Sequence, residues 1–306
     1  MRVAYAGTPD FAVPALAGLI EHNVDVVGVW TQPDRPAGRG RKLTPSPVKR
    51  LALEHQLPVH QPVNFKDEGD RHCLLDSGAD LLIVAAYGLL LPAPIIDGFR
   101  LGCVNLHASL LPRWRGAAPI QRAIQSGDAE TGVDLMRMEL GLDTGPVIGE
   151  MRTPISPTDT TADLHDRLAA MGWPLLKAHW ADLQAGAPGV SQRSDGVEYA
   201  AKITKAEARV DFTQPRDQVV RNIHAFNPWP GAWIDGSLGR VKLLRAELAA
   251  TTGLAPGQLG PDGTVGCSDG AIRVTQWQFA GSTAQSIVDV LNAQRLTAGE
   301  FLQPHE

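Results

Sequence analysis

The sequence predicts an α/β protein: a doubly wound, mostly parallel, Rossmann-like sheet followed by a smaller, mainly β domain. Three observations carry that prediction. Through the first half, short apolar runs alternate with segments of helical spacing, a β-α-β rhythm that builds parallel sheets. Residues 80–86 (DLLIVAA) are apolar without alternation at their centre, as a strand covered on both faces requires. After about residue 205 the chain turns to short β-rich runs separated by Asp-Gly and Gly-Pro turns, the texture of a small β domain or barrel.

The elements follow in order. Residues 3–6 read as a brief strand, and residues 11–21 place Leu16, Leu19 and Ile20 at helical spacing. Residues 24–31, rich in Val, form a second strand; residues 80–86 and 101–106 give two more, and residues 117–125 a helix. Residues 161–185 are helical, with Pro174 expected to kink or restart the helix. Residues 185–196 are rich in Gly, Pro and Ser and form the best linker candidate. The expected organisation is a catalytic domain over 1–184, a linker over 185–204 and a C-terminal domain over 205–306, whose β runs are 239–244, 264–267 and 271–279. A length of 306 residues suits two domains at about 150 residues each.

Composition narrows the class. Hydrophobic residues make up 43% and charged residues 20%, enough apolar material for packed cores, which excludes a disordered chain. Lys and Arg number 28 against 33 Asp and Glu, a formal net charge of −5. That balance excludes indiscriminate coating of nucleic acid, because phosphate affinity grows with the cations presented. Cys73, Cys103 and Cys267 are too few and too scattered for a disulfide framework or a thiolate metal site, and the nine histidines lack metal-ligand spacing, so no metal is expected. The opening MRVAYAG has no secretory apolar segment, and Pro, Gly or charge interrupts every apolar run; a soluble, cytoplasmic protein with no membrane partner is expected.

In a doubly wound sheet the chemistry collects beyond the carboxyl ends of the strands. The first such turn, Ala6-Gly7-Thr8-Pro9-Asp10-Phe11, lacks G-x-G-x-x-G and carries an acid that repels phosphate. It reads as a tight turn capped by Asp10, which disfavours a nicotinamide dehydrogenase. Residues 31–50 carry six basic side chains, Arg35, Arg39, Arg41, Lys42, Lys49 and Arg50, against the single acid Asp34. Their glycines and prolines suggest a long irregular loop whose cations are concentrated to capture a polyanion. Asn105 and His107, two apart at a strand end, share one face. An amide beside an imidazole there can hold a developing oxyanion or move a proton, although a lone histidine at a strand end also serves structure. Asp143, between Gly141 and Gly145, is by itself a turn-forming aspartate, and together with Asn105 and His107 it becomes a catalytic candidate.

The motifs HASLLPRWRG at 107–116, GLDTG at 141–145 and the opening AGTPDFA resemble those of the formyltransferases that use 10-formyltetrahydrofolate. The basic loop TQPDRPAGRGRKL and FNPWPG at 226–231 resemble the branch of that family acting on aminoacyl-tRNA. Ala108 stands where glycine is frequent in the family. The resemblance implies transfer of a formyl group from the co-substrate 10-formyltetrahydrofolate to the α-amino group of methionine on initiator Met-tRNA, for translation initiation. It implies that Asn105, His107 and Asp143 are catalytic, and that Ser109, Leu110, Leu111 and Pro112, with Tyr87 and Gly88 at the end of the 84–88 strand, bind folate. It places tRNA contacts at Arg39, Arg41 and Lys42, makes the C-terminal domain an OB-like barrel that helps hold tRNA, and suggests a monomer. The rival readings are a formyltransferase acting on a sugar-nucleotide amine or purine precursor, a formyl-folate hydrolase, and a non-catalytic tRNA binder. Residues 205–306, with nine Lys and Arg against ten acids, name no RNA face.

Overall fold

The computed structural model describes residues 1–37, 40, 42–236, 239–250 and 253–302. They fall into two compact units, one of Met1–Gly116, Thr131–Thr153 and His165–Tyr199, the other of Ala117–Glu130, Pro154–Leu164 and Ala200–Glu306.

In chain order the first half contains β1 (Arg2–Gly7), α1 (Val13–Glu21), β2 (Asp25–Trp30), β3 (Arg35–Ala37), β4 (Lys42–Thr44), α2 (Pro47–Glu54), β5 (Val59–His60), α3 (Glu68–Leu75), β6 (Leu81–Ala85), α4 (Ala93–Ile96), β7 (Cys103–His107) and β8 (Arg115–Gly116). There follow α5 (Pro119–Ser126), β9 (Glu130–Arg137), β10 (Val147–Pro154), α6 (Thr161–Ala178), α7 (Trp180–Gln184) and β11 (Tyr199–Ala200). The first unit is built on a seven-stranded sheet in the order β10-β9-β7-β6-β1-β2-β5. β1 pairs in parallel with β2 and β6, β6 with β7, and β2 with β5, whereas β7 and β9 are antiparallel. The sheet is therefore mostly parallel. From β1 the chain winds outward through β2 and β5, then crosses to β6 and β7 on the other side. The direction of winding reverses between β1 and β6, the crevice where doubly wound sheets bind ligands.

Burial explains the strands. All five residues of β6 are buried, as are Val3 to Gly7 of β1, so neither strand alternates. Gly7 is required by packing: a Cβ there would lie 2.7 Å from Ala12 Cβ and 3.0 Å from Ala85 O. Asp10 is in the first turn of a 3-10 segment whose N-cap, Pro9, makes no side-chain capping bond, so the capping role expected of Asp10 is not what shapes this turn. α6 runs through Pro174 to Ala178 and the chain restarts as α7, so the proline removes a backbone bond without ending the helix where it stands.

Two stretches depart from the expected irregular structure. Within residues 31–50, Arg35–Ala37 pairs antiparallel with Lys42–Thr44, and α2 begins at Pro47. Ser46 caps that helix by accepting from Lys49 N, and proline in the first turn costs no donor that the helix needs. Residues 185–199 return to the first unit: Arg137 Nε and Nη2 donate to Ala187 O at 2.9 and 2.6 Å, Val190 exchanges backbone bonds with Val147, and Arg115 N donates to Glu198 O.

The second unit adds α8 (Arg216–Ala225), β12 (Ala232–Gly236), β13 (Gly239–Ala249), β14 (Thr264–Cys267), β15 (Gly270–Phe279), β16 (Gln285–Ser286) and α9 (Ile287–Asn292). Its strands form an antiparallel sheet in the order β12-β13-β15-β14, with β16 on β15. Phe212, Ile223, Phe226, Ile272, Val274 and Trp277 fill its core. No helix among the described residues is long and apolar enough to cross a membrane.

Candidate active site

β7 lies between β6 and β9, with Asn105 opposite Val84 and Met136, and His107 opposite Asp134. Asn105 and His107 therefore emerge on one face, two residues apart. Asn105 is half-buried, and among the described residues its amide makes no hydrogen bond. It offers a free donor at the strand end.

His107 is almost wholly buried. Its Nε2 lies 3.0 Å from Trp114 O and its Nδ1 lies 3.7 Å from Asp143 Oδ2. Both ring nitrogens thus face acceptors. A neutral imidazole has one N–H, which Trp114 O takes at Nε2, leaving the Nδ1 lone pair 3.7 Å from Asp143 Oδ2, beyond direct hydrogen-bond distance. Asp143 comes from the loop between β9 and β10, with φ at +50°, a region that aspartate enters more readily than most residues. Its Oδ2 also accepts from Gly116 N at 2.8 Å. Gly145 is dictated by closeness, since a Cβ would run into Arg137 O.

The 109–113 turn is built from within. Ser109, fully buried, donates from Oγ to Arg113 O at 2.7 Å, and Arg113 N donates to Leu110 O. Leu111 N donates to Asp134 Oδ2 at 2.7 Å. Leu110 and Leu111 remain half-buried and Pro112 is buried. The turn thus shows two partly open leucines beside His107, and the serine holds its shape. At the end of β6, Gln32 Nε2 and Thr8 Oγ1 donate to Tyr87 O at 3.0 and 2.9 Å. The Tyr87 ring is in the core near Phe65, 6.2 Å between centroids, so this residue presents main chain at the crevice. Gly88 adopts φ +79°, and a Cβ there would collide with the Gln32 side chain.

Of the basic candidates, Lys42 is exposed on β4, while Arg39 and Arg41 lie outside the described residues. The surrounding cations are not all free. Lys49 Nζ binds both oxygens of Asp34 at 2.9 and 2.8 Å and Gln61 Oε1 at 2.7 Å, and Arg35 Nη2 donates to Gln32 Oε1. Lys49 and Gln61 hold the Asp34 carboxyl below its ordinary pKa.

Residues 1–177 match the family described as Formyl transferase, and residues 202–295 match the family's C-terminal domain. The chain belongs to the formyl transferase family. It is 50% identical over 305 residues to the protein named methionyl-tRNA formyltransferase of Chromohalobacter salexigens, covering 96% of this chain and 94% of that one. It is likewise 50% identical over 296 residues to the methionyl-tRNA formyltransferase of Paracoccus denitrificans, covering 97% and 98%. Among solved structures, WlaRD, a sugar 3N-formyl transferase in the presence of dTDP and 5-N-formyl-THF, shares the fold with a TM-score of 0.68 and 18% identity, over 92% of this chain and 99% of that one.

In this formyl transferase the structure adds two site residues that sequence reasoning missed. Asp134 is buried beside His107; among the described residues its Oδ1 has no hydrogen-bond partner, and burial raises the pKa of its carboxyl to about 7. An acid inside the apolar run Gly132-Val-Asp-Leu-Met136 is the available signal. Gln192, in the stretch read as a linker, bonds to the main chain of Asp143 and Gly145 and to Arg115, and nothing in its local sequence marks it.

Proposed function

We propose that this chain transfers the formyl group of 10-formyltetrahydrofolate to the α-amino group of methionine on initiator Met-tRNA, giving N-formylmethionyl-tRNA for translation initiation. The observation that carries the reading is the convergence at the end of β7. Asn105 has a free amide, and His107 is held between Trp114 O and Asp143 on the same face. Membership of the formyl transferase family and the names of its close relatives support the choice of chemistry and acceptor.

A free α-amine titrates near pH 8 and an adjacent ester lowers that, so much of the nucleophile is neutral at pH 7. The harder task is the charge that develops when the amine adds to the formyl carbon. Asn105 donates to the developing oxyanion, a contribution of roughly 3–4 kcal/mol for one such donor. His107, steadied by Asp143, takes the proton released by the attacking amine and returns one to the leaving folate nitrogen. The formyl donor supplies the one-carbon group; Leu110 and Leu111 offer it apolar contact and the 87–88 main chain offers polar contact. This donor set of one amide, one imidazole and one carboxylate, with partly open leucines, fits a neutral formyl amide beside an aromatic ring system.

In this reading the unit built on the seven-stranded sheet, which includes residues 185–199, is catalytic, and residues 205–306 form an OB-like barrel that helps hold tRNA. Arg39, Arg41 and Lys42 meet the acceptor end of the tRNA, and the protein works as a cytoplasmic monomer. The deciding experiment incubates the chain with labelled 10-formyltetrahydrofolate, with and without methionylated initiator tRNA. Label on the tRNA is the expected result; free formate in both samples, or no reaction, would replace this reading with a hydrolase or a binding protein.

A further inference from the structure

The Asp143 loop stands out from the sheet, with Leu140 75% exposed and Leu142 55% exposed. Asp143 nevertheless holds a left-handed backbone, a conformation that persists in a non-glycine residue when its surroundings impose it. Gln192 supplies that restraint. Its Nε2 donates to Asp143 O and to Gly145 O, both at 2.8 Å. Its Oε1 accepts from Arg115 Nε at 3.0 Å and from Arg115 Nη2 at 2.7 Å. The orientation of the amide is forced, because carbonyls only accept and a guanidinium only donates. The neighbour of Arg115 in β8, Gly116, donates its N–H to Asp143 Oδ2. One glutamine therefore joins the strand that holds the Asp143 carboxylate to the loop that carries its backbone.

We propose that Gln192 is a positioning residue for catalysis: it sets the distance and direction of Asp143 toward His107, so that residues taken for an interdomain tether belong to the machinery of the active site. The proposal rests on the reading of His107 and Asp143 as the proton-handling pair. Gln192 touches neither ring nor carboxylate and works through the frame that holds them. A misplacement of a catalytic group by about 1 Å costs on the order of 10²-fold, and Gln192→Ala, which leaves the Gly116 bond in place, should cost ~10–100-fold in kcat. KM for folate and for tRNA should stay within about twofold, because no binding contact is removed.

Two variants and one background separate positioning from mere stability. Gln192→Glu keeps an acceptor for Arg115 and loses both donors to the loop. It sets an oxygen against the two loop carbonyls and should lower kcat at least as far as Gln192→Ala, with the melting temperature of each variant measured beside its kcat. In the Asp143→Ala background neither change should lower kcat further, since the group being positioned is gone. An observable independent of turnover is the imidazole ¹⁵N resonance pair of His107 in the full chain, which should move in Gln192→Ala in the same direction as in Asp143→Ala. Unchanged kcat and resonances in both Gln192 variants, or a kcat loss that adds fully to Asp143→Ala, would overturn the proposal. If the wild-type chain transfers no formyl group yet the His107 resonances move, the assignment of the reaction fails and the positioning role stands.

Discussion

Asn105 is the candidate that the geometry isolates most cleanly, because among the described residues its amide has no partner to lose. Asn105→Ala therefore removes a donor without breaking the frame. We expect kcat to fall by about 10²–10³-fold, the cost of one oxyanion donor, while the Kd for Met-tRNA stays unchanged. Steady-state kinetics beside a tRNA filter-binding titration checks both halves, and an unaltered kcat would remove the oxyanion role. Asp134 gives a prediction about stability. Its carboxyl titrates near 7 when folded and near 3.8 when unfolded, chiefly because it is buried; Glu150 adds to the rise, and Leu111 N–H and Arg152 oppose it. Between those values the folded chain holds a proton that the unfolded chain has released, so stability falls as pH rises from about 4 to 7 and levels above that. At about 1.4 kcal/mol per pKa unit the loss is roughly 4 kcal/mol by pH 8. Asp134→Asn keeps an oxygen for Leu111 N–H and cannot ionise. Its stability relative to wild type should therefore rise by a comparable amount between pH 4 and 8 in urea unfolding. A difference independent of pH would mean that Asp134 carries no such burden.

Among the elements, the β3–β4 hairpin shows what a pattern of charge conceals. Six cations in residues 31–50 suggest one loose polycationic loop. Instead Lys49 is neutralised by Asp34, Arg35 is tied to Gln32, and the chain is braced by a two-strand pairing and the Ser46-capped α2. Lys42 remains exposed at the base of β4. Lys42→Ala should raise KM for Met-tRNA and reduce the slope of log kcat/KM against log salt by about 1, one phosphate contact, with KM for folate unchanged; a salt slope equal to wild type would remove Lys42 from the tRNA surface. β1, β2, β6, β14 and β15 are legible within a residue or two, β1 and β6 because buried strands write continuous apolar runs and β14 and β15 because turn residues bound their β-rich segments. β9 and β10 are not, since Thr131, Asp134, Glu150 and Arg152 break their apolar pattern and their pairing is made over long separations. The same divide runs through the site. Asn105, His107 and Asp143 are legible as motifs, whereas Gln192 acts across 49 residues from Asp143 through contacts that only the fold creates.

On the scale of the whole chain, the two units are interleaved in sequence. The second unit takes Ala117–Glu130 and Pro154–Leu164 from the first half and joins them to everything after Ala200. Those borrowed segments are bonded within that unit. Arg122 reaches Glu207 at 2.9 Å and Ala201 O at 3.0 Å, Gln125 meets Asn222, Thr161 Oγ1 donates to Ala225 O at 2.6 Å, and Arg245 pairs with Asp163 at 2.8 Å. α5 also buries Ile120, Ala123 and Ile124, the apolar face of a helix that a cut at residue 200 would leave without part of its cover. A fragment of residues 200–306 would thus lose the helix that packs beside α8 and several hydrogen bonds, of which that of Thr161 is buried, each worth about 0.5–1.5 kcal/mol and more where a buried group is stranded. Against a total stability of about 5–15 kcal/mol for a domain, that loss is decisive. The fragment should show no cooperative thermal transition by circular dichroism, while the full chain melts cooperatively. Co-expression with residues 1–199 should restore part of the transition, because the missing segments are then supplied in trans. A fragment that melts cooperatively by itself, at the temperature of the full chain, would show that residues 117–130 and 154–164 are passengers on the second unit and contribute nothing to its fold.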